Sequence, residues 1–360
     1  MHNALASPGA LLYNVRPSSG GDTNVRTGAD LVRASQVYAK EDRTTSWRLL
    51  LTTLGAVAAC WAVILLAPSL WLQLPASLLL GLLGVRLFIF YHDWCHDAIF
   101  TDGRLGPALM TLIGFYTLAV PSVWRETHNY HHRNNARLIG SSIGSYPTVS
   151  LPMYRGLPPD QRRLLKIVRH PLTILGGLFT TFFVGFCWAA WRRDPKQHPL
   201  APVSGVLWIG ALILLAWLTS PLQAFLVWFL PAAIHSALGS YLFYAQHNFP
   251  GIELRGRREW EYTHAALRCS SFFEMSPLMH WFTGNIGYHH VHHLNHRIPF
   301  YRLPEAMAEM PELANPIRTS WAPRDVLACL RCSVWDPDTS AMISFHEADR
   351  RLDDVAAAAK

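Results

Sequence analysis

Charge is scarce in this 360-residue chain. Asp, Glu, Lys and Arg together make up 15% of it, against 51% hydrophobic residues that come in long blocks. That balance excludes an ordinary string of soluble domains and fits a polytopic membrane protein with sizeable water-exposed parts. A cysteine framework is also missing. Cys60, Cys95, Cys187, Cys269, Cys329 and Cys332 are scattered, which excludes a disulfide scaffold and leaves a reducing environment as the expectation for the polar parts. Cys329 and Cys332 form one C-x-x-C without a second pair, too little for a zinc site. The first 46 residues hold no long apolar stretch and are rich in Ser, Gly, Thr and Arg. They read as a flexible cytoplasmic tail rather than a cleavable signal. No internal repeat suggests a transporter built from two related halves. The net charge of +7 comes from basic residues beside apolar blocks, so the expected partner is an anionic lipid surface and not nucleic acid.

The apolar blocks give a topology. Residues 49–68 and 76–91 form one hairpin across an uncharged turn bracketed by Pro68 and Pro75, and 203–219 and 222–245 form a second. Each is long enough to cross a bilayer as a helix, allowing for extension beyond the apolar core. Arg86 falls where it can approach the headgroups. Residues 105–120 make a shorter apolar piece. The block 171–191 carries Arg162, Arg163, Lys166 and Arg169 before it and Arg192, Arg193 and Lys196 after it. Basic flanks at both ends predict that it dips in or lies flat, with both ends cytoplasmic. The expected architecture is an all-α membrane protein: four transmembrane helices in two hairpins, interfacial helices and a cytoplasmic histidine-rich cap. Residues 47–345 form that domain, between the 1–46 tail and a C-terminal tail at 346–360.

What the chain has in abundance is clustered histidine: "HDWCH" at 92–96, "HNYHH" at 128–132 and "HHVHH" at 289–293. His92 and His96 are spaced i, i+4. His128, His131 and His132, and again His289, His292 and His293, are spaced i, i+3, i+4. On a helix such residues share one face, within an arc of about 100°. With 18 His in 360 residues, one H-x-x-H-H is expected by chance roughly 0.05 times, and two occur. Buried imidazoles at this spacing suit metal. Their number suits two ions of five or six ligands each, with Fe, Zn, Cu and Ni all acceptable to imidazole and only Fe or Cu serving redox chemistry. His247, in "FYAQHNFPG" at the end of the last spanning block, is a ninth candidate. Asp93, Asp97 and Glu126 stand beside the groups and are candidates to accept the far N–H of a ligating ring. His290 lies on the other side of its helix. His235, His264, His280 and His296 carry little weight, and His2, His170, His198 and His346 read as ordinary core or surface residues.

The set "HDWCH", "WRETHNYHH" and "GNIGYHHVHH" resembles the three histidine boxes of integral-membrane fatty-acid desaturases, most closely the acyl-lipid, omega-6 (Δ12) branch. "QHNFPG" at 246–251 and "HHLNHRIPFYRLPEA" at 292–306 look like that branch's glutamine-histidine element and its segment after box three. The resemblance spans roughly residues 76–306. It implies a non-haem di-iron centre on the cytoplasmic side, held by His92, His96, His128, His131, His132, His247, His289, His292 and His293. It also implies O2-dependent insertion of a cis double bond into an acyl chain, with O2 reduced to water. Box three begins with His where front-end desaturases usually carry Gln, and no cytochrome b5 signature His-Pro-Gly-Gly is present. Both point away from the front-end class and toward a separate electron donor, ferredoxin or cytochrome b5. The candidate wall of an acyl tunnel is the apolar content of 105–120, 171–190 and 270–288. Arg125, Arg155, Arg162 and Arg163 are positive-inside flanks that can also hold a lipid phosphate or an acidic donor.

Two rivals remain at this point. A hydroxylase or ketolase of the same superfamily shares the metal and differs only in the fate of the oxidised carbon. A metal-ion transporter should carry ionisable residues near the bilayer midplane; the middles of 49–68, 203–219 and 222–234 lack them, leaving His235 alone inside its block.

Overall fold

The computed structural model describes residues 25–138, 143–256 and 258–358. Four of the described helices are long and apolar enough to cross a membrane: Arg43–Leu66, Leu70–Cys95, Leu200–Leu218 and Pro221–Ala245. They form the two expected hairpins. Asp42 starts the first helix by accepting the Thr45 N–H at 3.1 Å. Ser69 starts the second and Ser220 the fourth in the same way. The two turns are tied together, because the Gln223 amide donates to the Leu65 carbonyl at 3.1 Å.

The second and fourth helices are the inner pair. Two-thirds (67%) of the second helix's apolar window is buried, against 22% of the first and of the third. Their close approach depends on glycine. A Cβ added at Gly81 would lie 2.7 Å from Ile234, and one at Gly84 would lie 2.6 Å from His235 Nδ1. Small residues at such a crossing let two backbones come together where lipid offers no hydrophobic drive.

Three expectations need correction here. Pro75 is not in the turn; the turn is confined to residues 67–69 and Pro75 lies inside the second helix. A proline forfeits one N–H bond, and a membrane helix tolerates that when neighbours re-satisfy the backbone. The fourth helix shows the same accommodation: it widens into a π-helical stretch at Phe225–Phe229 just before Pro231. Arg86 turns inward rather than out toward headgroups. It is 2% exposed, bonds Thr53 Oγ1 (3.1 Å) and the Trp281 carbonyl, and lies over the Trp281 ring at 4.2 Å. Thirdly, the chain from residue 25 is packed where the 1–46 tail was expected. Gly28–Ser35 is a helix with Leu31 buried, and Arg26 pairs with Glu312 at 2.7 Å; residues 1–24 lie outside the described residues. The expected C-terminal tail is likewise helical over Phe345–Ala358, where Asp349 bonds Tyr154 and Lys166.

Leu105–Tyr116 and Pro121–Asn134 form a pair bent by 86°. Over 171–191 the chain breaks into Pro171–Leu175, a wide π-helical segment Leu178–Ala189, and Ala190–Arg193. It is not among the four candidate spans. The remaining strands are short: Phe272–Glu274 runs parallel to Arg318–Ser320, and Val334–Asp336 pairs with Val149–Ser150 and Ala341–Ile343. They knit the cap that covers the histidine ends of the second and fourth helices.

Candidate metal centre

The histidine boxes meet. His92 is in the last turn of the second spanning helix and His96 ends it. His128, His131 and His132 project from Pro121–Asn134. His289, His292 and His293 project from the short helix His289–Leu294, and His247 follows the fourth spanning helix directly. Together they form two groups, each with its ligand atoms within 4.8 Å of one another: His92, His96, His128, His132 and His292 in one, and His131, His247, His289 and His293 in the other.

Boxes two and three each serve both groups. At about 100° per residue, positions i and i+4 lie about 40° apart, whereas i+3 and i+4 are about 100° apart. His128 and His132 therefore turn to the five-histidine group and His131 to the other. His289 and His293 turn to the four-histidine group and His292 to the five. The shared helices hold the two groups side by side.

Ring nitrogens converge at a spacing that suits a cation. His92 Nε2 lies 2.9 Å from His128 Nε2, His132 Nε2 3.2 Å from His128 Nε2, and His292 Nε2 3.0 Å from His132 Nε2. In the second group, His131 Nε2 is 3.1 Å from His247 Nε2 and 3.3 Å from His293 Nε2, and His289 Nε2 is 2.9 Å from His247 Nε2. A pair of neutral imidazoles can share one proton, but a ring of converging nitrogens cannot satisfy itself that way. With metal–nitrogen bonds of about 2.1 Å, ligands at right angles sit roughly 3.0 Å apart, close to what is seen. Burial first, and neighbouring imidazoles second, hold His96, His128, His131, His132, His289, His292 and His293 well below the usual histidine range. Burial pushes His247 down to about 4. These eight rings are therefore held in the neutral form, which is the ligating one. The residues present fit two metal ions.

Tethers aim three of the rings. His92 Nδ1 is 2.9 Å from Asp93 Oδ1, and Asp93 Oδ2 accepts the Phe300 N–H at 2.6 Å. His131 Nδ1 is 2.6 Å from Ser145 Oγ, and His247 Nδ1 donates to the Cys269 carbonyl at 3.0 Å. Ser145 follows Gly144, whose φ of 67° and close approach to the Thr127 carbonyl leave no room for a Cβ.

The other two candidate carboxylates touch no box histidine. Asp97 lies past the helix end at a φ of 56° and bonds Arg125 at 3.0 Å. Glu126, two residues before His128, is on another face of its helix. It bonds His198 Nε2 at 2.6 Å and Arg193 at 3.0 Å. His198, read from the sequence as an ordinary histidine, is thus fully buried in a pairing that nothing local announces. His290 bonds the Leu313 carbonyl at 3.2 Å, away from both groups. His296 sets its ring 4.7 Å from that of His96, tilted by 44°, without joining either group. Cys329 and Cys332 are buried thiols outside both groups. Arg125 is engaged internally, with its guanidinium 4.8 Å over the Trp94 ring.

A cavity of about 500 Å³ opens onto the imidazoles of His92, His128 and His289. Its wall is predominantly apolar, with Val85, Phe88, Trp124, Phe182 and Phe243 among its residues. Of the expected wall, 171–190 contributes from Thr181 onward and 270–288 contributes only Ile286. Residues 105–120 contribute nothing to it; their place is taken by the inner spanning helices.

Comparison with known proteins agrees with this geometry. The family model for fatty acid desaturases matches residues 68–324. The chain is 28% identical over 327 residues to a fatty acid desaturase of Bacillus subtilis, covering 88% of this chain and 90% of that one. It is 22% identical over 313 residues to the sn-1 oleoyl-lipid 12-desaturase of a Picosynechococcus species, covering 85% and 88%. It is also 26% identical over 300 residues to the human sphingolipid delta(4)-desaturase/C4-monooxygenase DES2, covering 80% and 81%.

Proposed function

The chain belongs to the fatty acid desaturase family, and from that premise we propose that it uses O2 to insert a cis double bond of the Δ12/omega-6 type into the acyl chain of a membrane lipid. Two iron ions are the proposed cofactors, one in each histidine group. The observation that supports this reading above the others is that both groups present imidazoles to one apolar cavity. Iron, when bound, supplies the reduction of O2 that makes an unactivated methylene C–H breakable.

The protein's own part is placement and exclusion. His92, His128 and His289 bring the metal groups to the cavity wall. Phe88, Trp124 and Phe243 give an acyl chain an apolar lane and keep bulk water from the reacting carbons. Which carbons react follows from how far the chain is threaded past those imidazoles. The basic flanks support a cytoplasmic side for the histidine cap, for both ends of 171–191 and for the proposed electron donor, a ferredoxin or cytochrome b5. The oleoyl-lipid relative supports the acyl-lipid and Δ12 assignments.

A second reading, hydroxylation, has its own support: the human relative bears both a desaturase and a monooxygenase activity in its name. Mass spectrometry of lipids from a host lacking polyunsaturates separates the two. A new diene with its second double bond at carbon 12 is the expected product. A hydroxy-lipid in its place transfers the assignment to the second reading, and a diene at another position removes the Δ12 part alone.

A further inference from the structure

The cavity is not symmetric about the metal groups. At one end it reaches Arg193, on the cap side, where Glu126 holds the guanidinium. At the other it passes between the second and fourth spanning helices to Val85 and His235. The His235 ring closes that deep arm, packed so tightly on Gly84 that a Cβ there would meet its Nδ1 at 2.6 Å. At 1.5 Å per helical residue, Val85 lies about 10 Å below His92 along the second helix. An extended chain with C–C bonds of about 1.5 Å advances about 1.25 Å per carbon along its axis, so that depth takes up to roughly eight carbons, enough for the five that follow a Δ12 double bond in a C18 chain. A charged or phosphorylated head cannot settle in a pocket sunk into the span, so the arm receives the methyl end of an acyl chain and Arg193 stands on the side of its head.

One residue keeps the arm open. Gly239, a helical turn from His235 on the fourth spanning helix, lines the cavity, and a Cβ built there meets nothing within 4 Å. Gly81 and Gly84 differ: their Cβ positions are filled by the neighbouring helix. The fourth helix does not need glycine at 239 for packing or for φ, since the position is helical. The empty space belongs to the cavity.

We propose that Gly239 is a specificity-determining residue, whose missing side chain sets how many carbons fit between the reacting methylenes and the methyl end. The proposal rests on the acyl-desaturase reading and names the residue that measures its substrate. A side chain at 239 shortens the arm. Trimming Val85, on the facing wall, lengthens it.

The test uses the full chain in two assays. In cells supplied with C14, C16 and C18 acyl chains that carry a cis double bond at carbon 9, Gly239→Val is expected to lower the ratio of C18 to C14 diene at least tenfold, Gly239→Ala less, and Val85→Ala to raise it. Metal content of the purified variants serves as the folding check. In nanodiscs, a phosphatidylcholine bearing a terminal diazirine on one C18 chain is irradiated and the label mapped. Wild type is expected to label Leu230–Ala245 or Val85–Ile89, and Gly239→Val to lose that label by more than fivefold. A product ratio that stays level across all three variants, or a wild-type label on Phe186–Arg193, overturns the proposal. The labelling needs no turnover, so an inactive wild type that still labels the deep arm would count against the desaturase reading and leave only the seating of the methyl end against Gly239 standing.

Discussion

The two histidine groups share two helices, Pro121–Asn134 and His289–Leu294, yet are not equivalent. The five-histidine group is the fuller and the more enclosed. The Trp124 ring stacks on His128 at 4.5 Å and His296 closes over His96 and His132. The four-histidine group has one imidazole fewer and opens to a second, small cavity of about 30 Å³ beside His131 and His247, room for about one small molecule. Tethering runs the opposite way. Two of the three aimed rings, His131 and His247, belong to the smaller group. In the larger one, His96 has no hydrogen bond at either ring nitrogen, and His132 and His292 have none at Nδ1; in the smaller one, His289 lacks one at Nδ1. The difference teaches a division of labour. A crowded site can orient its rings by packing against each other; a site with fewer ligands and an open side needs hydrogen bonds to hold its rings in line.

The largest expected effect breaks that comparison outright. His131→Ala leaves three imidazoles in the smaller group, and metal content measured by plasma mass spectrometry is expected to fall from about two ions to about one, with turnover lost. His96→Ala leaves four in the larger group, so close to two ions are expected to remain while turnover drops severely. Membrane insertion is expected to survive both changes, since neither alters the apolar residues of the four spanning helices. Equal metal loss in the two variants would show that the groups share one site. His292→Ala, on the helix common to both, is expected to abolish turnover as well.

The next effect is smaller and sharpens the contrast. Loss of a hydrogen bond that aims a ligand costs about 10- to 100-fold in metal affinity. Asp93→Asn is expected near the upper end, because a carboxylate bond to a ring N–H is stronger than a hydroxyl one, and because Asp93 is 2% exposed and also holds the Phe300 N–H. Ser145→Ala is expected near the lower end. Under a chelator, Asp93→Asn should release metal from the five-histidine group first and Ser145→Ala from the four-histidine group first. The same order of release in both variants would contradict the assignment of the tethers. Gly144→Ala displaces Ser145 by forcing a Cβ toward the Thr127 carbonyl, so its release pattern should copy Ser145→Ala.

How much of this could be read from the residues follows from distance along the chain. Spanning helices and the box helices are local matters of hydropathy and of 3.6-residue spacing, and His92 through His293 were all visible that way. The partition into five and four lies in the same spacing, once the 100° between i+3 and i+4 is taken seriously. What was not legible depends on residues far apart. Glu126 and His198 are 72 positions apart and Arg193 completes them. Ser145 is one serine in a loop, and its only local mark is Gly144 beside it. The apolar run 105–120 has the composition of a cavity wall, but composition does not say which face meets which neighbour. The N-terminal segment read as a tail because its Ser- and Thr-rich sequence carries little hydrophobicity. Leu31, the Arg26–Glu312 pair and the bond from the Tyr38 hydroxyl to Glu309 dock it, each with a partner far along the chain.

That docked segment supplies the smallest effect, and it should not discriminate between the groups at all. Ser35 Oγ accepts from the Asn295 amide at 2.9 Å, directly after the box-three helix that serves both groups. The Arg26 guanidinium, through its hydrogen bonds, pulls the Glu312 carboxyl down to about 2. A carboxylate with a depressed folded pKa adds stability that is fully present above its unfolded value of about 4.3 and is lost as pH falls through the folded value. Arg26 is 41% exposed, so solvent screening limits the pair to about 0.5 kcal/mol. Arg26→Ala is thus expected to melt slightly below wild type from pH 7 to about pH 5, with the gap closing between there and pH 2. Chelator release from the two histidine groups should quicken together or not at all in this variant. A gap that widens on acidification, or a release confined to one group, would mean that the strap acts on one side of box three and that the two groups are less closely coupled than their shared helices imply.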